Sequence, residues 1–170
     1  MPDLRPAPGA DKAAFDLIEL FFFAYRDFVG DADRLLESLK FGRAHHRVLH
    51  FVNRNPGLTI AELLDILQIT KQSLNRVLKE LLEKGYVESR AGVTDRRQRL
   101  LHPTPAGQKL AHELAQVQSR RFERALGELP AGAREDAVDF LLAMVDRAER
   151  HKVSDLIWGR EAGLAALQNR

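Results

Sequence analysis

Two short helices joined by a tight turn are predicted between residues 59 and 84, and no other feature constrains the fold of this chain as strongly. Thr59 and Glu62 have the spacing of a capping box, in which the threonine accepts from the backbone and the glutamate reaches back. Thr70 is placed to cap the second helix, and Gly85 is placed to end it. This arrangement is typical of a helix-turn-helix.

The second helix divides its residues between an apolar and a polar face. Its apolar positions fall at helical spacing and are predicted to face inward: Leu74, Val77, Leu78, Leu81 and Leu82. The cap and the polar positions form the other set: Thr70, Lys71, Gln72, Ser73, Asn75, Arg76 and Lys79. Such side chains donate to base edges and contact phosphates, so we predict a recognition helix for the major groove. The alternative is the solvated polar face of an ordinary core helix.

A β-hairpin is predicted directly after this helix. The β-prone run Tyr86–Arg90 is followed by a turn-rich loop over 91–95 and by a second run, Arg99–His102. The predicted wing residues are Asp95, Arg96, Arg97 and Arg99. A protruding basic hairpin can reach a flanking minor groove, where arginine is favoured. We expect Asp95 to hold the fork of an arginine in place.

The first helix is apolar on most of its circumference. It is predicted to run from about Asp11 to Val29, with a shorter helical stretch after Gly30 that ends near Phe41. A helix of this kind must be buried on more than one side, and in so small a chain the second side is expected to meet another subunit. Further along, Thr104 should cap a long helix that stops near Gly127. An amphipathic helix is predicted over 134–150, with a short helix after it.

Charge is concentrated in the middle of the chain. Residues 40–109 carry 13 Lys/Arg against 6 Asp/Glu, a net charge of +7, whereas the rest carries −5. A concentrated positive field suits a polyanion. The absence of cysteine excludes disulfides, thiolate metal sites and cysteine chemistry. The longest bulky apolar run, Leu20–Tyr25, is too short for a membrane span, and without an export signal at the N-terminus the chain is expected in the cytoplasm.

Three stretches together resemble the MarR family of bacterial regulators. The wing signature is matched by the run from Asp95 through Leu100-Leu101 and Thr104 to Gly107. The stretch 69–76 is similar to the entry of the family's recognition helix, and 82–87 to its exit. Pro103 departs from the usual aliphatic residue and is expected to fray that strand. The match covers residues 43–107, and the flanking helices agree only in order and character.

The resemblance implies a mainly α fold with a small β-hairpin wing, in which a winged helix-turn-helix core is flanked by N- and C-terminal dimerisation helices. The implied organisation is a flexible tail (1–10), N-terminal dimerisation helices (11–42), a DNA-binding domain (43–107) and C-terminal dimerisation helices (108–170). It further implies a homodimer on double-stranded DNA, with half-sites roughly 34 Å apart. Arg97 would enter the minor groove. Repression relieved by a small, often aromatic or anionic, ligand is the expected regulation.

A candidate ligand cleft, an alternative metal site and an alternative function complete the predictions. The cleft is expected between the aromatic first helix and the histidine cluster: Phe22, Tyr25, His45, His46 and His50. His46 and His50 could share a metal, but no third ligand lies near them in sequence, so no metal or cofactor is predicted. We find no nucleophile elbow or phosphate loop, and therefore predict no enzyme. The alternatives are a protein-binding winged helix and a metal-responsive regulator.

Overall fold

The computed structural model describes the backbone of residues 14–92 and 95–168, and the side chains of residues 14–92 and 95–159. The predicted tail, residues 1–10, lies outside the described residues. In chain order the elements are α1 (Phe15–Glu37), α2 (Arg43–Arg54), β1 (Leu58–Thr59), α3 (Ile60–Leu67), α4 (Lys71–Glu83), β2 (Val87–Ala91), β3 (Arg99–Pro103), α5 (Pro105–Gly127), α6 (Ala133–Met144) and α7 (Arg150–Gln168). The mainly α prediction with a small β wing is confirmed.

The first helix is longer than the sequence suggested. Helix α1 runs without a break from Phe15 to Glu37, so the predicted break at Gly30 is wrong. Glycine only weakens a helix by about 1 kcal/mol, and burial of one face can override that cost. Here Val29, Ala32 and Leu36 are buried on either side of the glycine in sequence. The face that they form keeps the helix continuous.

The chain divides into two compact units, Met1–Arg121 and Phe122–Arg170. The core of the first unit is built where α2, α3 and α4 pack together, as the helical spacing predicted. Its deeply buried helical side chains include Leu36, Val48, Leu49, Val52, Leu63, Leu74, Val77, Leu81 and Leu114. Leu82 was also expected inside but is 38% exposed, because it lies at the edge of the buried stripe of α4.

A three-stranded antiparallel sheet adjoins this core, in the order β1-β3-β2. The hairpin β2–β3 is confirmed, with Val87 opposite Pro103 and Ala91 opposite Arg99. The two-residue strand β1 was missed, because two residues show no periodicity. The expected fraying at Pro103 is wrong, since this residue is buried and still part of β3. Strand β1 pairs only with Leu100 and Leu101, so the missing N–H of the proline costs no bond to β1.

Thr104 ties the start of α5 to the base of the hairpin. Its hydroxyl accepts from the backbone N–H of Gly107 at 3.1 Å and donates to the carbonyl of Gly85 at 2.6 Å. Its own backbone N–H donates to the carbonyl of Tyr86 at 3.2 Å. The predicted cap is therefore confirmed, and it also joins the segment that follows α4 to the start of α5.

The second unit contains the last two helices. Helix α6 ends at Met144, earlier than the predicted 150, because Val145 is already extended. Arg150 then donates to the carbonyl of Val145 at 3.0 Å as α7 begins, and α7 is longer than the short helix expected. Large apolar side chains of α6, among them Phe140 and Met144, are exposed. In the described parts of the chain, no helix is long and apolar enough to cross a membrane.

Candidate nucleic-acid interface and adjoining cavity

The N-terminus of α4 is fixed by a threonine cap. The Thr70 hydroxyl accepts from the backbone N–H of Ser73 at 3.2 Å and donates to the Ser73 hydroxyl at 2.9 Å. Before it, Gln68 adopts the left-handed conformation with φ of 50°, which ends α3 sharply. The turn between the two helices is therefore only three residues long, 68–70. This short turn fixes the direction of α4.

The outer face of α4 is open to solvent. All seven predicted recognition residues are exposed: Thr70, Lys71, Gln72, Ser73, Asn75, Arg76 and Lys79. The inner face of the same helix is buried at Leu74, Val77 and Leu81. Lys79 lies 3.8 Å from the carboxylate of Glu83, an exposed pair of little energetic weight. The structure thus brings the predicted residues together on one projecting surface.

The middle and end of α4 are anchored to the segment around Phe41. The ring of His45 lies 3.1 Å from a Glu80 carboxylate oxygen through Nε2, and it accepts from the backbone N–H of Gly42 through Nδ1. It also stacks on the ring of Phe41, with centroids 4.6 Å apart. Lys84 donates to the carbonyl of Leu39 at 2.8 Å. His45 therefore links the start of α2 to α4.

The wing residues Asp95, Arg96, Arg97 and Arg99 are all exposed at the tip and on β3 of the hairpin. Asp95 does brace the loop, but not as predicted. Its carboxylate accepts from the backbone N–H of Arg97 at 2.9 Å, and the carbonyl of Asp95 accepts from Gln98 at 3.0 Å. An aspartate that accepts from the backbone N–H two residues ahead forms a local turn, so the contact of Asp95 is with the backbone of Arg97 and not with its guanidinium.

A cavity of about 310 Å³ lies within the first unit. It is lined by Tyr25, Phe28, Val29, Arg43, His46, Arg47, His50, Phe51 and Gln118. Three of the five residues of the predicted ligand cleft line this cavity: Tyr25, His46 and His50. Phe22 is not among the lining residues, because it lies on the exposed face of α1, and it is 65% exposed. His45 is not either, because its ring is turned towards Glu80 and α4.

One wall of the cavity is aromatic and another is cationic. Arg43 is held by Asp33, with 2.9 Å between the guanidinium and the carboxylate, and this hydrogen bond raises the pKa of Arg43. Burial lowers the pKa of His46, as does the neighbouring His50, whereas Asp33 raises it. Burial likewise lowers the pKa of His50, and the charge of Arg54 adds to the effect. At neutral pH the positive charge of the cavity therefore comes from its arginines.

Sequence reasoning missed the arginines of the cavity, although a signal for them was present. Arg43, His46, Arg47 and His50 recur at intervals of three and four residues, which is one face of α2. The predicted histidine cluster is therefore only one part of a longer stripe that also contains the two arginines. Among the described residues, no three His, Asp or Glu side chains are grouped so as to hold a metal ion.

A helix-turn-helix with an exposed polar helix and a basic hairpin beside it defines the winged helix-turn-helix class. Residues 40–98 match the profile of the MarR family. The chain is 50% identical over 155 residues to the HTH-type transcriptional regulator PetP of Rhodobacter capsulatus, which covers 85% of this chain and 91% of that protein. The chain belongs to the MarR family. It is a transcriptional regulator, in agreement with the sequence prediction, and not an enzyme.

Solved structures of the family share the fold. The MarR crystal structure superposes with a TM-score of 0.64 at 21% identity, over 88% of this chain and 99% of that one. MepR of Staphylococcus aureus in its DNA-binding conformation gives a TM-score of 0.65 at 20% identity, over 76% of this chain and 96% of that one. At this level of identity the likeness establishes the winged-helix fold and its chain order.

Proposed function

We propose that this protein is a homodimeric repressor that binds a specific double-stranded DNA site and releases it when a small anionic aromatic ligand occupies the cavity. The observation that carries the proposal is the exposed polar face of α4 beside an exposed basic wing. Binding to the chromosome would place the protein in the cytoplasm. The solved MepR–DNA complex, a protein with the same fold, is consistent with this assignment.

The recognition helix supports base-specific binding. Gln72, Asn75 and Arg76 are exposed on the N-terminal half of α4, which is the half that reaches base edges in helix-turn-helix complexes. Their amide and guanidinium groups suit adenine and guanine in the major groove. Lys71 and Lys79 are suited to phosphate contacts on either side. The face therefore combines groups for specificity with groups for affinity.

The wing supports contact with the flanking minor groove. Arg96, Arg97 and Arg99 project from a hairpin whose tip is held by Asp95 through the backbone of Arg97. Because the brace acts on the backbone, the guanidinium of Arg97 is available for the narrow groove, where the negative potential favours arginine. Loss of Asp95 should therefore loosen the wing without removing any DNA contact.

The exposed face of α1 supports a homodimer. Its large apolar residues include Phe15, Leu20 and Phe22, each at least 64% exposed. Contiguous apolar surface of this kind usually marks an interface in a protein of this size. A second copy is the partner that also explains the DNA proposal, since a symmetric pair presents two recognition helices to successive major grooves about 34 Å apart.

The cavity supports an effector that is both aromatic and negatively charged. Its volume of about 310 Å³ lies at the lower end of the range for small-molecule sites. Tyr25, Phe28 and Phe51 can pack against a ring, and Arg43 and Arg47 can meet a carboxylate or phenolate. Such a ligand acts on DNA binding only if it prefers a conformation that fits the duplex less well.

A gel-shift series on the DNA adjoining the protein's own gene tests the proposal. Arg76→Ala should weaken specific binding by about 1–3 kcal/mol and relax preference at one base position. Arg97→Ala should weaken binding through the flanking sequence, and the affinity of the parent should fall steeply as salt rises. Arg147→Ala, an exposed arginine of the second unit, is the charge-matched control. Equal affinity of the parent and all three variants would instead favour a protein-binding role.

A further inference from the structure

One arginine touches both the cavity and the helix-turn-helix. Arg47 lines the cavity from α2, and its Nη2 donates to the backbone carbonyl of Leu67 at 3.0 Å. Leu67 is the last residue of α3. The final carbonyls of a helix have no partner within the helix, and a cation placed there is favourable. Arg47 therefore caps α3 from a different helix.

The capped carbonyl lies immediately before the turn that sets the recognition helix. Only residues 68–70 separate Leu67 from the first residue of α4. This turn contains the left-handed Gln68 and the N-cap Thr70, both of which fix the backbone direction. A contact that holds the end of α3 consequently restrains the start of α4, where the predicted base-contacting side chains are located.

The two arginines of the cavity differ in what already holds them. Arg43 is paired with the carboxylate of Asp33 at 2.9 Å. Among the residues that the structure describes, Arg47 has no carboxylate partner, and its acceptor is the neutral carbonyl of Leu67. A carboxylate binds a guanidinium through two charge-assisted hydrogen bonds and competes well against one neutral carbonyl. An anion in the cavity would therefore draw Arg47 more readily than Arg43.

We propose that Arg47 is the positioning residue that connects the cavity to the recognition helix. In the free protein its guanidinium holds the carbonyl of Leu67 and with it the turn before α4. An anionic ligand takes this guanidinium, so the turn loses its restraint and the recognition helix loses its fixed direction. The second step rests on the proposed ligand response, whereas the first step concerns only contacts within the chain.

The first experiment needs no ligand. Arg47→Met should lower affinity for the specific DNA site roughly tenfold, as expected for loss of a hydrogen bond with a charged partner, and Arg47→Lys should restore most of it. Arg43→Met removes the same charge from the same cavity and is the matched control. The affinity for unrelated DNA should fall only slightly, and by the same amount in both methionine variants, because non-specific binding depends on charge alone. Amide hydrogen exchange at residues 68–74 should accelerate in Arg47→Met only.

The second experiment uses benzoate as the probe and benzyl alcohol as its neutral counterpart. Saturating benzoate should lower the affinity of the parent protein for DNA by a certain factor, which we call the coupling factor. Bound DNA should lower the affinity of the parent protein for benzoate by the same factor. Arg43→Met should bind benzoate more weakly, yet at saturating benzoate it should show the same coupling factor as the parent. In Arg47→Met the coupling factor should be close to one, so that saturating benzoate changes the DNA affinity by no more than about twofold. Benzyl alcohol should have little effect on any of them.

The outcomes separate this proposal from the proposed function. If the parent binds no specific DNA, the proposed function fails, while the hydrogen-exchange comparison still decides whether Arg47 restrains the turn. If benzoate binds but leaves the DNA affinity of the parent unchanged, the ligand step is overturned. If Arg47→Met matches Arg43→Met in specific affinity and in exchange at 68–74, the positioning role itself is overturned.

Discussion

Substitution of Gly107 by alanine tests the close packing of α5 against the backbone of Tyr86. A Cβ built at this position would lie 1.9 Å from the carbonyl oxygen of Tyr86 and 3.4 Å from the Leu49 side chain. The first of these contacts is with backbone and is therefore costly to relieve. The same carbonyl accepts from the backbone N–H of Thr104 at 3.2 Å, so moving it also disturbs the tie between α5 and the hairpin.

The magnitude follows from opposing contributions. Alanine favours a helix over glycine by about 1 kcal/mol. Overpacking costs about 1–3 kcal/mol, or more where backbone must move, and the weakened hydrogen bond costs about 1 kcal/mol. We expect Gly107→Ala to lower the free energy of unfolding by about 3 kcal/mol, which corresponds to a melting temperature about 10 °C lower.

Thermal and urea unfolding followed by circular dichroism measure this change. Gly30→Ala is the matched control, because Gly30 is also within a helix and its added Cβ would have only Arg34 Nη1, at 4.0 Å, within reach. That variant should be more stable than the parent by about 0.5–1 kcal/mol. If Gly107→Ala unfolds at the temperature of the parent, the close approach of α5 to Tyr86 is not a constraint and the reasoning is refuted.

Three further predictions concern the interface, the cavity and the cap. Phe22→Glu should convert the proposed dimer to monomers in sedimentation velocity, because it places a charge on the exposed apolar face of α1; an unchanged sedimentation profile would contradict an interface at this face. Burial lowers the pKa of His50 below its ordinary 6.5, so the unfolded chain binds more protons than the folded one and the free energy of unfolding should fall as the pH drops through 6.5. In melting experiments His50→Gln should show a weaker dependence of the melting temperature on pH, and the same dependence as in the parent would contradict this reasoning. Thr70→Val should cost about 1 kcal/mol of unfolding free energy, and no loss would deny the cap a role.

Helix α4 and the β2–β3 hairpin could be predicted because their signals are local. Thr59, Thr70 and Thr104 each cap a helix within three residues, and the apolar spacing of α4 lies within a single helix. Such patterns depend on neighbours along the chain. The strand β1 has no such signal, because Leu58 and Thr59 are extended only through their pairing with β3.

The cavity could be predicted only in part because it depends on contacts between distant segments. Gln118 of α5 lines it together with Tyr25 of α1, and nothing in the sequence near either residue indicates the other. The ion pair between Arg121 and Asp31, 2.6 Å apart, joins the same two helices and lowers the pKa of Asp31. Two polar residues so far apart in sequence could be matched only once the packing of α1 against α5 was known.

The packing of helix α2 indicates that a ligand in the cavity would act on α4 through a change of side-chain partner rather than through a movement of α2. Val48, Leu49 and Val52 are almost fully buried against the core that also holds α4. Such an interior is close-packed, so shifting α2 would strain many contacts at once. Arg47, which precedes Val48 directly, reaches the end of α3 through a long side chain that can change partner without moving the backbone. A ligand of modest affinity can supply the free energy for a change of side-chain partner at Arg47 far more easily than the free energy for a shift of the whole helix α2.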